Sequence, residues 1–353
     1  MIKKAEPILS IIVISHEQRE LLRRCLDSIL AMCIDNPYEI IVSDDRSTDG
    51  SFELAKHYAL GLDDGTLRAN NLLRIIAVQC NSDECNPAYN SERSGYNRCN
   101  AYPYARGKYI AHVDADDYFL PNADVYNKQI AALESHPECA LAMSNHLYIH
   151  DGQPISNAKK VCPNIVPQNG EIISAHDFIA NDYFHLNQAF IQRRNPNVDP
   201  VKLYGKKYVD SIITYHHLQF GPIIYVDACD YVYVQYKQSV TGQMEAQDRD
   251  QSIMWCLYLY ISSLIPIWRS EMFKEGYGSI RTVLRMAKAD YMLQLQNYKA
   301  MHSLNIWIYE CFGHHITAYD KIRLKICMMW QRIQRHYNLY DEFWCRITWR
   351  LLK

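Results

Sequence analysis

Between Lys108 and Leu120 the chain runs an apolar segment, Tyr109-Ile-Ala-His-Val113, straight into three carboxylates at Asp114, Asp116 and Asp117. Apolar residues on successive positions suit a strand covered on both faces of a sheet. Such a strand can end in charge only where its backbone leaves the sheet, and open α/β sheets bind ligands at the carboxyl ends of their strands. Oxygen ligands gathered there suit a hard divalent cation, which can neutralise a phosphate-bearing partner. Taken alone, an Asp-x-Asp in this position reads more readily as a solvated turn before the helix that begins near Asn122, because short motifs recur by chance.

The same design appears upstream. Ile8 to Ile14 is a continuous, β-branched apolar run that reads as a strand and delivers Ser15 and His16 at its end. From Glu17 to Cys33, Leu22, Cys25, Leu26, Ile29, Leu30 and Cys33 recur at helical spacing, with Arg19, Glu20, Arg23 and Arg24 on the polar side. A second strand, Tyr38 to Val42, runs into Ser43-Asp44-Asp45-Arg46 and is followed by a helix from Ser51. Leu72 to Val78 reads as a third strand, the segment from Gln79 to Ser94 as a polar loop, and Asn97 to Ala105 as a helix. Strands alternating with helices imply right-handed crossovers and a mostly parallel sheet. Three strand ends then meet at one crevice, bringing His16, Asp44 with Asp45, and Asp114 with Asp116 to its lip.

Downstream, the pattern predicts a helix to Ser135, a strand over Ala140 to Ile149, a helix over Gly170 to Phe184 and a strand over Gln188 to Gln192. It continues with a helix over Tyr208 to Phe220 and strands over Ile223 to Asp227 and Tyr231 to Tyr236. Beyond Gln243 the texture becomes helical. Ile253 to Trp268 is apolar but shorter than a membrane span, which needs about 20 residues, and Pro266 interrupts it. We therefore expect two domains, residues 1–242 and a helical region over 243–353. In the latter, Ile322, Ile326, Met329 and Ile333 form a stripe amid Lys321, Arg323, Lys325, Arg332 and Arg335. A basic amphipathic segment of this kind suits either peripheral contact with an anionic membrane surface or packing on its own domain.

At 353 residues with 48% apolar and 22% charged content, the chain has the composition of an ordinary folded protein. Its formal net charge of −2 gives no general attraction to nucleic acid. The 12 cysteines fall mostly within apolar patterns, as Cys25 and Cys33 do, and no secretory pattern precedes them. Reduced thiols and a cytoplasmic setting are expected. Cys80, Cys85 and Cys99 lack the paired spacing of a zinc site.

Taken together, several segments resemble family 2 glycosyltransferases with the GT-A fold over about residues 8 to 240. These are Ser10-Ile-Ile-Val-Ile-Ser-His16, Cys25-Leu-Asp-Ser-Ile-Leu30, Glu39-Ile-Ile-Val-Ser-Asp-Asp-Arg-Ser-Thr-Asp-Gly50, Ala105-Arg-Gly-Lys-Tyr-Ile110 and Asp114-Ala-Asp-Asp117. The resemblance implies an α/β fold, a mostly parallel sheet flanked by helices, with the helical C-terminal region as an appendage. It implies a nucleotide-diphosphate-sugar donor, a UDP-sugar by expectation, and a glycan or lipid-linked acceptor in surface polysaccharide synthesis. Asp116 corresponds to the carboxylate that holds Mn²⁺ or Mg²⁺, with Asp114 on its nucleotide side. Asp45, with Asp44, corresponds to the carboxylate that reads the base, Ser15 and His16 to the nucleotide-binding strand end, and Arg98 to an arginine preceding the motif. Position 99, commonly Asn, is Cys here.

Inverting transfer needs a base on the acceptor side. Asp210 falls where the family places it, although Val209 replaces the usual Glu, and Asp227 and Asp230 are alternatives. Tyr236-Lys-Gln-Ser-Val-Thr241 resembles the family's closing segment and puts Lys237 within the diphosphate's expected reach. The Gln-x-x-Arg-Trp motif and multiple spanning helices of processive synthases are not found, which favours transfer of single sugars; the expected setting is cytoplasmic, with peripheral contact at the inner face of the membrane as an option. Two other readings compete: a phosphohydrolase of the haloacid dehalogenase type, with Asp114 as nucleophile, and a non-catalytic nucleotide-sugar binder. A dehydrogenase is disfavoured, since no Gly-x-Gly-x-x-Gly follows the first strand.

Overall fold

The computed structural model describes residues 5–85, 90–161, 166–174, 178, 189–195, 213–214, 217–218, 220–236 and 329. The chain divides into two compact units, Met1–Gln243 and Met244–Lys353. The architecture that follows is that of the first. Asp210, Lys237 and the basic C-terminal stripe lie outside the described residues, apart from Met329.

The strands are β1 (Leu9–Ser15), β2 (Tyr38–Asp44), β3 (Leu72–Gln79), β4 (Tyr109–Asp114), β5 (Tyr118–Phe119) and β6 (Leu141–Ser144). Then come β7 (Leu147–His150), β8 (Lys159–Lys160), β9 (Ile172–Ile173), β10 (Ala189–Arg193), β11 (Ile223–Tyr225) and β12 (Tyr231–Gln235). The helices are α1 (Arg19–Leu30), α2 (Ser51–Asp63), α3 (Asn90–Ala101) and α4 (Val125–Ser135). The larger sheet has eight strands in the order β3-β2-β1-β4-β10-β6-β11-β9. Its first four strands are mutually parallel, and β10 enters antiparallel between β4 and β6. A second, four-stranded sheet runs β5-β12-β7-β8.

The alternation of side chains along a strand sorts the residues into two cores. Leu9, Ile11 and Val13 of β1, Tyr38, Ile40 and Val42 of β2, and Tyr109, Ala111 and Val113 of β4 join Leu22, Leu26 and Ile29 of α1 and Tyr126, Ile130 and Leu133 of α4. On the opposite face, Ile12, Ile14, Ile41 and Ile110 pack with Ala101 and Ala105, where α3 ends. Each buried Ile or Leu contributes about 1.5–3 kcal/mol relative to exposure.

At the amino ends of the strands, fully buried Glu39 accepts from Ser10 Oγ at 2.5 Å, from the Arg106 amide at 2.6 Å and from Arg74 Nε at 2.5 Å. Gly107 lies so close to β1 that a Cβ would stand 2.5 Å from the Ser10 nitrogen. This close approach accounts for the glycine in Arg106-Gly107.

Several expectations are corrected. The helix before β4 occupies Asn90–Ala101, with a 3₁₀ turn over Tyr102–Tyr104, rather than Asn97 to Ala105. Pro103 belongs to that turn. The strand expected over Ala140 to Ile149 is two strands in different sheets, parted at buried Asn145 and His146. Ile172–Ile173 is an edge strand where a helix was expected. α1 ends at Leu30, so Cys33 lies beyond it and is exposed, while Cys25 is buried. Among the described residues, no helix is long and apolar enough to cross a membrane.

Candidate active site

Parallel pairing brings the three strand ends to one edge. Ser15 pairs with Asp44, Ile14 with Asp114, and Asp44 with Gln79. Beyond the sheet, the Asp45 amide donates to the Ser15 carbonyl at 2.9 Å and the Ala115 amide to Ile14 at 3.1 Å. Ser15, His16, Asp44, Asp45, Arg98, Asp114 and Asp116 are thus brought to one edge or to the segments directly against it, as expected. Both exits turn through left-handed residues, Glu17 at φ 52° and Arg46 at φ 53°. Such positions cost on the order of 1 kcal/mol and concentrate at functional sites. They are held by interlocking bonds: Glu17 Oε1 accepts from the Thr48 amide at 2.7 Å, and the Glu17 amide donates to Ser47 Oγ at 2.8 Å.

The acidic pair after β2 is satisfied internally. Asp44, wholly buried, accepts from the Ser47 amide at 2.9 Å and from Ser47 Oγ at 2.6 Å. Burial pushes its carboxyl up, and the two bonds from Ser47 oppose that rise. Asp45 accepts from the Ser82 amide at 2.9 Å and from Ser82 Oγ at 2.5 Å, with Arg93 Nη1 3.7 Å away. Exposed His16 meets the Asp45 carbonyl through Nδ1 at 2.8 Å.

The turn after β4 is different. One carboxylate oxygen from each of Asp114, Asp116 and Asp117 lies within 4.8 Å of the others. Asp114 Oδ1 accepts from Arg98 Nη2 at 2.7 Å, an ion pair whose arginine is almost wholly buried on α3. Asp117 is wholly buried and gives both oxygens to β12, accepting from the Tyr231 hydroxyl and from the Val234 amide at 2.9 Å. Its carboxyl is pushed well up by burial and by its acidic neighbours. Among the described residues no side chain donates to the Asp116 carboxylate, which accepts from its own amide, and burial together with Asp114 pushes its carboxyl up to about 7. Two carboxylates with spare oxygens and a third behind them form an all-oxygen donor set that fits a hard divalent cation.

The sequence reading missed two arginines. Arg24, expected on the solvated side of α1, donates from Nη2 to the Asp116 carbonyl at 2.5 Å and to the Tyr236 hydroxyl at 2.8 Å. Arg93 ties the segment after β3 to Asp45 by donating to Ser82 Oγ at 2.8 Å and to Asp83 at 2.5 Å. Leu21, Arg24 and Ser28 recur at i, i+3 and i+7, a second stripe on α1 that could have flagged the first of these. Of the alternative bases, Asp230 accepts from the Asp124 amide at 3.2 Å, at the start of α4, and Asp227 is exposed beside Asn169.

Residues 10–179 match the model of glycosyl transferase family 2. An uncharacterised protein of Mycobacterium tuberculosis is 27% identical over 194 residues, covering 55% of this chain and 49% of that protein. The putative glycosyltransferase EpsE of Bacillus subtilis is 32% identical over 130 residues, covering 37% of this chain and 40% of EpsE. The chain therefore spans about half the length, or less, of these curated relatives. Among solved structures, S. aureus TarS 1–349 in complex with UDP-GlcNAc is similar at a TM-score of 0.58 and 15% identity, covering 94% of this chain and 89% of that one. At that identity the likeness speaks for the fold, which is GT-A. Residues 10–179 are thus similar to glycosyl transferase family 2, a match over just under half of the chain.

Proposed function

We propose that the protein is an inverting glycosyltransferase that moves one sugar per cycle from a UDP-sugar to a hydroxyl of a glycan or lipid-linked acceptor in surface polysaccharide synthesis. The observation that carries this reading is the row Ser15, Asp44 and Asp114 along one sheet edge, with Asp116, which receives no side-chain donor among the described residues, just beyond it. Asp45 is assigned to the nucleotide base. Its oxygens already accept from Ser82, but each carboxylate oxygen has room for a second donor such as a base N–H. The exposed His16 ring is assigned to stacking on that base, and Arg98 to holding Asp114 in place. Asp116 and Asp114 would hold Mn²⁺ or Mg²⁺, which when bound supplies charge neutralisation for the donor diphosphate.

In the reaction the acceptor oxygen forms a bond to the anomeric carbon from the face opposite the diphosphate. The bond from that carbon to the diphosphate oxygen breaks, and its electron pair leaves with UDP. The hydroxyl proton passes to a carboxylate base, assigned to Asp210, and Lys237 is assigned to the departing diphosphate. Residues 1–242 form the catalytic domain in this reading. The region 243–353, with its basic stripe, is assigned to peripheral contact at the cytoplasmic face of the membrane.

The first test is thermal shift with UDP-sugars, with and without Mn²⁺, followed by turnover assays on the UDP-sugar that stabilises most. We expect stabilisation by UDP-sugars that requires the metal, as ligand linkage dictates. We also expect release of UDP that Asp210→Asn abolishes while donor binding persists. Failure of every nucleotide diphosphate to stabilise the protein in the presence of Mn²⁺ or Mg²⁺ would overturn the assignment.

A further inference from the structure

The 114–119 turn is held from one side by a single helix. Three residues of α1 serve its backbone: Cys25 Sγ lies 3.8 Å from the Asp114 carbonyl, Arg24 Nη2 lies 2.5 Å from the Asp116 carbonyl, and Ser28 Oγ accepts from the Phe119 amide at 3.1 Å. Arg24 goes further than the other two. Its guanidinium lies 4.5 Å over the Tyr118 ring, and the same nitrogen donates to the Tyr236 hydroxyl at 2.8 Å. One side chain therefore bridges the acidic turn and the end of β12, partners 92 and 212 residues away in sequence.

We propose that Arg24 is a positioning residue for the cation site, fixing the Asp116 backbone against α1 and tying it through Tyr236 to the segment that follows β12. The inference rests on the glycosyltransferase reading of the acidic turn. The physical reason lies in where Asp116 is free to move. Its carboxylate has no side-chain partner among the described residues, so its position depends on the backbone that carries it. Of that backbone, the Asp116 carbonyl accepts from Arg24. A planar guanidinium can hold a carbonyl and a hydroxyl while lying flat on an aromatic ring, and an ammonium cannot do all three. Its positive charge behind the turn also opposes the mutual repulsion of the three carboxylates, which favours the assembled arrangement before a cation arrives.

The test measures Mn²⁺ affinity in the presence of UDP by water-proton relaxation for wild type, Arg24→Met, Arg24→Lys and Tyr236→Phe, with melting temperatures recorded alongside. We expect Arg24→Met to weaken Mn²⁺ about tenfold, the equivalent of one hydrogen bond to a charged group. Arg24→Lys should restore part of that loss, and Tyr236→Phe should weaken Mn²⁺ about threefold. With saturating Mn²⁺, kcat should recover in all three, which separates positioning from chemistry. A purely structural role would lower the melting temperature and leave the Mn²⁺ affinity of the folded protein unchanged. Should Arg24→Met fail to fold, the lysine and phenylalanine variants decide. Affinities within twofold of wild type in the folded variants would overturn the inference, while absence of Mn²⁺ binding in the wild type would overturn the function on which it rests.

Discussion

The protein places an acidic turn after β2 and another after β4, and the two solve the problem of crowded carboxylates in opposite ways. After β2, Asp44 and Asp45 each receive an amide and a hydroxyl, from Ser47 and from Ser82. After β4, Asp114 and Asp117 are held by Arg98 and by β12, and Asp116 receives no side-chain partner among the described residues. Buried polar groups are ordinarily paired, as Asp44, Asp45 and Asp117 are, whereas half-buried Asp116 keeps acceptor capacity to spare. The first turn is finished by the chain itself, whereas the second keeps oxygens free for the cation proposed above.

The largest way to break this contrast is Asp116→Ala. It should cut metal-dependent turnover of the UDP-sugar by about 10²–10³-fold, in the range for losing one preorganised electrostatic contact. The metal-free melting temperature should hold or rise, because a half-buried carboxyl crowded by two others is removed. Steady-state kinetics and differential scanning fluorimetry check the two halves. Ser82→Ala should do the reverse. Leaving Asp45 short of a donor should lower stability by about 1–3 kcal/mol in urea titration, with Mn²⁺ affinity unchanged.

Acidity sharpens the contrast. An ordinary aspartate releases its proton near pH 3.9, whereas Asp116 in the folded protein holds its own up to about 7. The unfolded chain therefore ionises first, so this group's contribution to stability is full below the ordinary range and is lost as pH rises through about 7. Urea midpoints in EDTA across that window should fall with rising pH in wild type and fall less in Asp116→Asn. Adding Mn²⁺ should reverse the trend, since only the ionised carboxylate binds metal. The smallest effect is expected for Ser47→Ala, which removes the hydroxyl from Asp44 but keeps the amide. We expect a loss of about 1 kcal/mol and no change in nucleotide binding.

The strand ends were readable because a buried parallel strand writes itself as an unbroken apolar run, and whatever follows it must lie at the sheet edge. α3 was misplaced for the complementary reason. Its segment, Asn90-Ser-Glu-Arg-Ser-Gly-Tyr-Asn-Arg-Cys-Asn-Ala101, has little apolar period because it grips the sheet through polar bonds. Asn97 donates to the Ser15 carbonyl, Arg98 to Asp114 and Asn100 to Ser43 Oγ. Arg24 was read as solvated because a charge on an amphipathic helix usually is, and no local pattern reveals partners so remote in sequence. The break at Asn145 and His146 was hidden because the apolar texture continues across it from one sheet into the other.

The Glu39 cluster has a bearing on chemistry it never touches. By joining Ser10 on β1, Arg74 on β3 and the amide just before Gly107, it acts as a ruler laid across the strands, about five residues or roughly 17 Å from the opposite edge. A slip of one residue in β4 would swing Asp114 to the other face of the sheet, away from Arg98 and toward the apolar packing of α1. The alignment of the acidic edge is therefore set from the far side of the domain, where a change at Glu39 or Gly107 would displace the acidic turn without altering any of its carboxylates.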